Sequence, residues 1–386
     1  MANEPFEIQA EDRFDRFRSI SWWDQERLAN ATIMVVGAGA LGNEVLKNLA
    51  LIGIGRVVVI DRDRIEASNL VRSVLFRNQD CGQPKAEVAC RSAQELYPDL
   101  HAIPCVADLQ TDIGLEWLHR CDLILGCLDN REARLWLNRC CRRLRKGWID
   151  GGLGELQGTV QLFHGEHGAC YECGLKEDDY RLMNARYSCT GMRTDRVPVR
   201  SLPTTPTMAS IVGAWQAQLA LKVLHGMEVP WGHSLIWNGM VDTMYRVQLP
   251  TKPSCLSHEV WDIDWDCSDR EDLLNLTVSQ ILDEAREKWR GEWTLRLERP
   301  LIARLTCQGC DWVVPLDPPR REIQEEIARC SSCKEWMAPE WISSVDAVSA
   351  VSAWKLHDLA IPSADWIRLS SQDRVKTIVL PGCSLT

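Results

Sequence analysis

The stretch from Thr32 to Asp61 constrains the fold of this chain more than any other. It opens with a β-branched apolar run, Thr32-Ile33-Met34-Val35-Val36, closed by Gly37. A run that short, bounded by glycine, reads as a buried strand rather than a helix. Gly37-x-Gly39-x-x-Gly42 leads into a segment with Leu41, Val45 and Leu49 one helical turn apart, and a second strand, Arg56 to Ile60, delivers Asp61 at its carboxyl end. Strand, glycine turn, helix, strand and acid form the first unit of a doubly wound, mostly parallel α/β nucleotide-binding fold. The glycines let the backbone approach phosphate, the helix N-terminus attracts its charge, and the acid accepts ribose hydroxyls. A glycine turn alone is weak evidence. In this context it specifies a nucleotide fold while leaving the nucleotide open.

The residues after Asp61 argue against a dinucleotide. Asp63, Asn69 and Arg72 follow closely, and Lys85 stands in Gly82-Gln-Pro-Lys-Ala86. Two cations and an amide beside a phosphate loop suit a triphosphate better than a pyrophosphate. An NAD-dependent oxidoreductase, the default owner of such a turn, leaves Arg72, Lys85 and Asp129 unexplained. Asp129 ends a further apolar run, Cys121 to Leu128, that reads as another strand. An acid there lies where open α/β sheets bind ligands, and it also suits the N-cap of the following helix, which carries Arg131, Arg134 and Asn138.

Taken together, these residues resemble the adenylyltransferases that activate ubiquitin, ubiquitin-like and sulfur-carrier proteins. The pattern is a glycine turn, Asp61-x-Asp63, Ser68-Asn69-Leu70-x-Arg72, Gly82-x-x-Lys85-Ala86 and Asp129-Asn130-x-x-x-Arg134. It covers roughly the first two-thirds of the chain. The chain departs from it at Ser73 and Phe17, where the family has glutamine. The resemblance implies ATP on Gly37, Gly39 and Gly42, ribose on Asp61, phosphates on Asn69, Arg72 and Lys85, and Mg²⁺ on Asp129, a hard oxygen ligand suited to that ion. It also implies that Arg16 reaches the triphosphate from the partner subunit of a homodimer. Read alone, Arg13 to Arg18 is a mixed-charge surface helix.

In ubiquitin-activating members a Cys-Thr pair carries a thioester, and Cys189-Thr190 stands ahead of a proline-bearing stretch and a helix from Met208 to Leu224. A thiolate attacks an acyl-adenylate well, and Arg186, Arg193 and Arg196 would lower the thiol pKa. The competing reading is an incidental cysteine, one of seventeen. The implied sequence is adenylation of the C-terminal glycine of a ubiquitin-like protein, a thioester on Cys189, and transfer to a conjugating enzyme. Sulfur-carrier members omit the relay; a non-enzymatic scaffold would not need the charged set.

Cys170-x-x-Cys173 lacks a thioredoxin-like context. The resemblance pairs it with Cys255-x-x-His258 as a structural Cys₃His zinc site. Further on, Cys307-x-x-Cys310 and Cys330-x-x-Cys333 stand 19 residues apart, a zinc-ribbon spacing that predicts a second, closed zinc site.

At 386 residues, two domains are expected: an adenylation domain over 1–259 and a smaller, zinc-ribbon-containing α+β domain over 260–386. The latter reads as an acidic linker from Asp262 to Asp272, a capping box at Thr277 and Gln280, a strand from Trp293, and a small α/β ending near Leu359 to Leu380. A partner-docking role is expected for it. A net charge of −10 gives no electrostatic footprint for nucleic acid or an anionic membrane. With neither a leader-like nor a membrane-length apolar run, the expectation is a cytoplasmic protein. The seventeen tryptophans read only as packing groups.

Overall fold

The computed structural model describes residues 12–186, 203–320, 323 and 327–382. Elements run α1 (Gln25–Asn30), β1 (Thr32–Val36), α2 (Ala40–Leu51), β2 (Arg56–Ile60), α3 (Lys85–Leu96), β3 (His101–Cys105), α4 (Leu115–His119), β4 (Leu123–Gly126) and α5 (Arg131–Arg143). They continue as β5 (Trp148–Leu153), β6 (Gln157–Phe163), α6 (Glu177–Arg186), α7 (Pro206–Leu224), β7 (His233–Asn238) and β8 (Thr243–Gln248). The rest of the chain adds β9 (Trp265–Asp266), α8 (Val278–Trp289), β10 (Thr294–Cys307), β11 (Val313–Arg320), β12 (Met337–Val345), β13 (Trp366–Ser371) and β14 (Arg374–Val379).

Strands β1 to β8 make one sheet in the order β3-β2-β1-β4-β5-β6-β7-β8. From β3 to β5 neighbouring strands are parallel, and from β5 onward antiparallel. Every residue of β1 is buried, as a strand covered on both faces requires. Alternate side chains face opposite layers: Ile33 and Val35 enter the core under α2, α3 and α7, while Met34 and Val36 enter the core under α4 and α5. The predicted helix face of Leu41, Val45 and Leu49 is buried in the first of these cores.

The second sheet runs β11-β10-β13-β14-β9, with β12 also on β10. Its core is shared with α8, whose Thr277–Gln280 capping box forms as predicted. Two expectations for this region are corrected. The stretch 262–272 is no free linker: Asp264 pairs with Lys376 and accepts from the Thr377 amide, and β9 adds to β14 in parallel. The last stretch is a β-hairpin, β13–β14, preceded by the 3₁₀ turn His357–Leu359, because its apolar residues alternate at period two. Trp261, Trp366 and Val379 enter the core beneath α4 and α5, so the two sheets share one apolar layer.

Candidate functional site

The carboxyl ends of β1, β2 and β4 converge on the glycine turn. Gly37 has φ +97°, and a Cβ there would lie 2.4 Å from the Cys127 carbonyl oxygen; one at Gly42 would lie 1.9 Å from that of Gly37. Packing therefore requires glycine at both. Gly39 differs: a Cβ there would meet nothing within 4 Å. It is the N-cap of α2, and no side chain caps that helix. The backbone thus presents an uncapped helix N-terminus and a cradle that a Cβ would fill, which suits a phosphate.

Both oxygens of Asp61 accept backbone amides, Oδ2 from Ala38 at 2.7 Å and Oδ1 from Asp63 at 2.8 Å. Burial pushes its carboxyl above the usual range, against the pull of Lys85 and of those two amides. Asp61 therefore shapes the glycine turn and faces the same space. Lys85 starts α3, its Nζ 2.9 Å from Asp63 and its side chain only 13% exposed. Asn69 Oδ1 accepts the Glu66 amide in a short 3₁₀ turn. Arg72 Nη1 donates to Thr204 Oγ1 at 2.6 Å. Buried Asn43, which the sequence reading missed, ties this segment to the turn: it donates to the Ala38 and Gly39 carbonyls and accepts the Leu75 amide.

Asp129 lies three residues beyond the end of β4 and is exposed. It does not cap α5. That cap is Asn130, whose Oδ1 accepts the Ala133 amide at 2.8 Å, while Asp129, among the described residues, accepts from the Asn130 side chain at 3.2 Å. The Asp129 carboxylate is thereby not engaged by the backbone of α5. Arg134, one helical turn on, holds this corner: it donates to the Leu128 and Gly151 carbonyls and pairs with Asp150 at 3.0 Å. Burial pushes the Asp150 carboxyl up to about 6 against the pull of Arg134. Gln216 of α7 donates to the carbonyls of Gly126 and Ile149, joining β4 to β5. Asp150 and Gln216 were not singled out from the sequence, although each is a buried polar group in an apolar run, and such a group needs a partner.

Arg16 lies at the other end of the sheet. Phe14 abuts Gly53, just past the C-terminus of α2, and stacks edge-on against Tyr97 at the end of α3. Helix α2 has 12 residues, so the segment is about 18 Å from the glycine turn of its own chain. Arg16 is exposed, and its side chain makes no hydrogen bond or ion pair with another described residue. Cys189, with Arg193 and Arg196, lies outside the described residues.

The two predicted metal sets are each brought together. Cys170, Cys173, Cys255 and His258 have their ligand atoms within 4.8 Å of one another, as do Cys307, Cys310, Cys330 and Cys333. Sulfur–sulfur separations of 3.3–3.7 Å exceed a disulfide. They approach the edge of about 3.8 Å of a tetrahedron with zinc–sulfur bonds near 2.3 Å. Behind the first set, buried Glu172 accepts from Arg139, Ser257 and Tyr180. Burial would raise its carboxyl, but these three donors hold it below its usual range.

The fold recurs in known proteins. The chain is 34% identical over 237 residues to a sulfur carrier protein adenylyltransferase of Thermus thermophilus, covering 60% of this chain and 83% of that protein. It is 32% identical over 232 residues to the SAMP-activating enzyme E1 of Haloferax volcanii, covering 60% and 81%. Similarity to the human ubiquitin-like modifier-activating enzyme 7 reaches 38% over 148 residues but spans only 15% of that enzyme. Escherichia coli MccB crystallised with ATP shares the fold, with a TM-score of 0.54 at 23% identity over 65% of this chain and 75% of that one. Residues 12–257, containing the whole glycine-turn region and Cys170, Cys173 and Cys255, match the ThiF family, and the chain belongs to it.

Proposed function

We propose that the chain adenylates the C-terminal glycine carboxylate of a ubiquitin-like carrier protein with ATP. The carboxylate oxygen attacks the α-phosphorus, the bond to the β-phosphate breaks, and pyrophosphate leaves with Lys85, Arg72 and Asn69 stabilising its charge. Asp61 binds ribose and fixes the turn, and Asp63 orients Lys85. Mg²⁺ held by Asp129 would neutralise phosphate charge. Such catalysis is positioning and electrostatics. The observation that carries this reading is the glycine turn held by Asp61, with Asp63 and Lys85 beside it. The far placement of Arg16 supports a homodimer in which each site takes this residue from the partner subunit.

In the next step the Cys189 thiolate attacks the acyl carbon, AMP departs, and the thioester passes to a conjugating enzyme. A second reading ends at the adenylate and hands it to sulfur; it is favoured by the long match to the sulfur-carrier relative. Intact-mass measurement under denaturing, non-reducing conditions, with ATP, Mg²⁺ and a carrier ending in a free glycine, separates the two. A thiol-sensitive adduct that disappears in Cys189→Ala is the expected result. Carrier-adenylate without an adduct would leave the sulfur-transfer reading.

Both cysteine sets are assigned structural zinc, the first tying Cys255–His258 to the body of the adenylation unit. Elemental analysis is expected to find two zinc ions per chain, and one in Cys307→Ser. Full zinc content in that variant would refute the ribbon assignment. The region after residue 259 is proposed to dock the carrier or the conjugating enzyme, a role supported by the half-exposed Trp312 and Trp341 beside the ribbon.

A further inference from the structure

The arginine assigned to the phosphates does not stand alone. Arg72 is half-buried, and its Nη1 donates to Thr204 Oγ1 at 2.6 Å across 132 residues of chain. Thr204 is rigidly mounted. The next residue, Thr205, is the N-cap of the 19-residue helix α7: its hydroxyl accepts the Met208 amide and donates to the Glu155 carbonyl, on the loop between β5 and β6. Further along α7, Ser210 bonds buried Glu44 of α2, and Gln216 holds the ends of β4 and β5. The acceptor for Arg72 is therefore fixed to the same helices and strands that form the nucleotide site.

We propose that Thr204 is a positioning residue for nucleotide binding, a role resting on the assignment of Arg72 to the phosphates. An arginine side chain has many rotamers to lose on binding. An acceptor that takes one of its five N–H groups holds the guanidinium plane in place and leaves the other donors for phosphate oxygens. Preorganisation of this kind raises affinity by lowering the ordering cost. The hydroxyl is the functional group. Valine keeps the β-branched shape but presents a methyl to a charged donor, whereas serine keeps the acceptor.

The test is calorimetric binding of a non-hydrolysable ATP analogue with Mg²⁺ to the full chain, which needs no carrier. Thr204→Val is expected to weaken binding about tenfold, the usual scale for one hydrogen bond to a charged group, and Thr204→Ser to restore it to within about twofold of the parent. In an Arg72→Ala background, Thr204→Val should then cost nothing more. Unchanged or tighter binding in Thr204→Val, or an equal loss in the Arg72→Ala background, would overturn the proposal while leaving the adenylation reading intact. If Arg72→Ala itself binds as the parent does, the phosphate assignment of Arg72 fails, and the role of Thr204 with it.

Discussion

Lys85→Ala is expected to slow formation of the carrier-adenylate by about 10²–10³-fold, the cost of removing one preorganised donor from developing charge. Three features of the site place the effect at this scale. The side chain is only 13% exposed, so water screens it poorly and cannot replace it without rearrangement. It springs from the first turn of α3, directly after Pro84, and the Lys85 amide donates to the Asp63 carbonyl at 2.9 Å. Its ammonium rests on the Asp63 carboxylate, which orients it without burying it. Lys85→Arg should recover little, since a planar guanidinium cannot take the place of a compact ammonium on that carboxylate. Pyrophosphate release measured in single turnover, with circular dichroism to confirm the fold, checks this. A rate within threefold of the parent would remove Lys85 from the reaction.

Much of this site was legible because its residues follow the backbone closely. Gly37, Gly42, Asp61, Asn69 and Lys85 lie on or beside a strand end, a helix start or a tight turn, where sequence spacing fixes position. The strands among them appear at their predicted bounds: the runs Thr32–Val36 and Arg56–Ile60 are β1 and β2. Groups joined only by the tertiary fold were not legible. Thr204 meets Arg72 across 132 residues, and Asn43, Asp150 and Gln216 find partners on other elements that no local pattern announces. The same reason explains the misreading of residues 262–272. Acidic side chains in a row suggest a solvated linker, but Asp264 and β9 gain partners only once β14 returns beside them. Asp129 illustrates a smaller limit. Two adjacent residues could each cap α5, and the backbone gave the role to Asn130.

The tryptophans, uninformative as composition, prepare the second large effect. Asp365→Ala is expected to destabilise the whole chain by about 3–5 kcal/mol, the range for breaking a buried pair by removing one partner. Asp365 sits where the two sheets meet. Its Oδ1 accepts the Leu115 amide at the start of α4, and its Oδ2 pairs with Arg299 at 2.9 Å, both side chains being 10% exposed. Arg299 also donates to the Ile113 carbonyl and stacks over the Trp136 ring, while Trp366 Nε1 donates to Glu116 of α4. Nearby, the Trp261 ring meets the guanidinium groups of Arg143 and Arg368, at 4.3 and 4.7 Å. Indoles here cover the apolar layer under α4 and α5 while their edges and faces satisfy charged groups that the junction would otherwise strand. The alanine variant leaves the Arg299 charge without its carboxylate and the Leu115 amide without its acceptor. Asp365→Asn retains an acceptor for the amide and should lose roughly half as much. Denaturant unfolding followed by tryptophan fluorescence reads the difference. If Asp365→Ala unfolds at the parent's midpoint, the junction contributes nothing to stability, and the C-terminal region is an appended module. The expected result carries a consequence for mapping function by truncation. A chain ending at Glu259 would lose Trp261 and Trp366 from the core beneath α5, the helix whose first turn follows Asp129. Lost activity in such a chain would then reflect a damaged nucleotide site, and point substitutions on the exposed face of the ribbon are the means of testing docking separately.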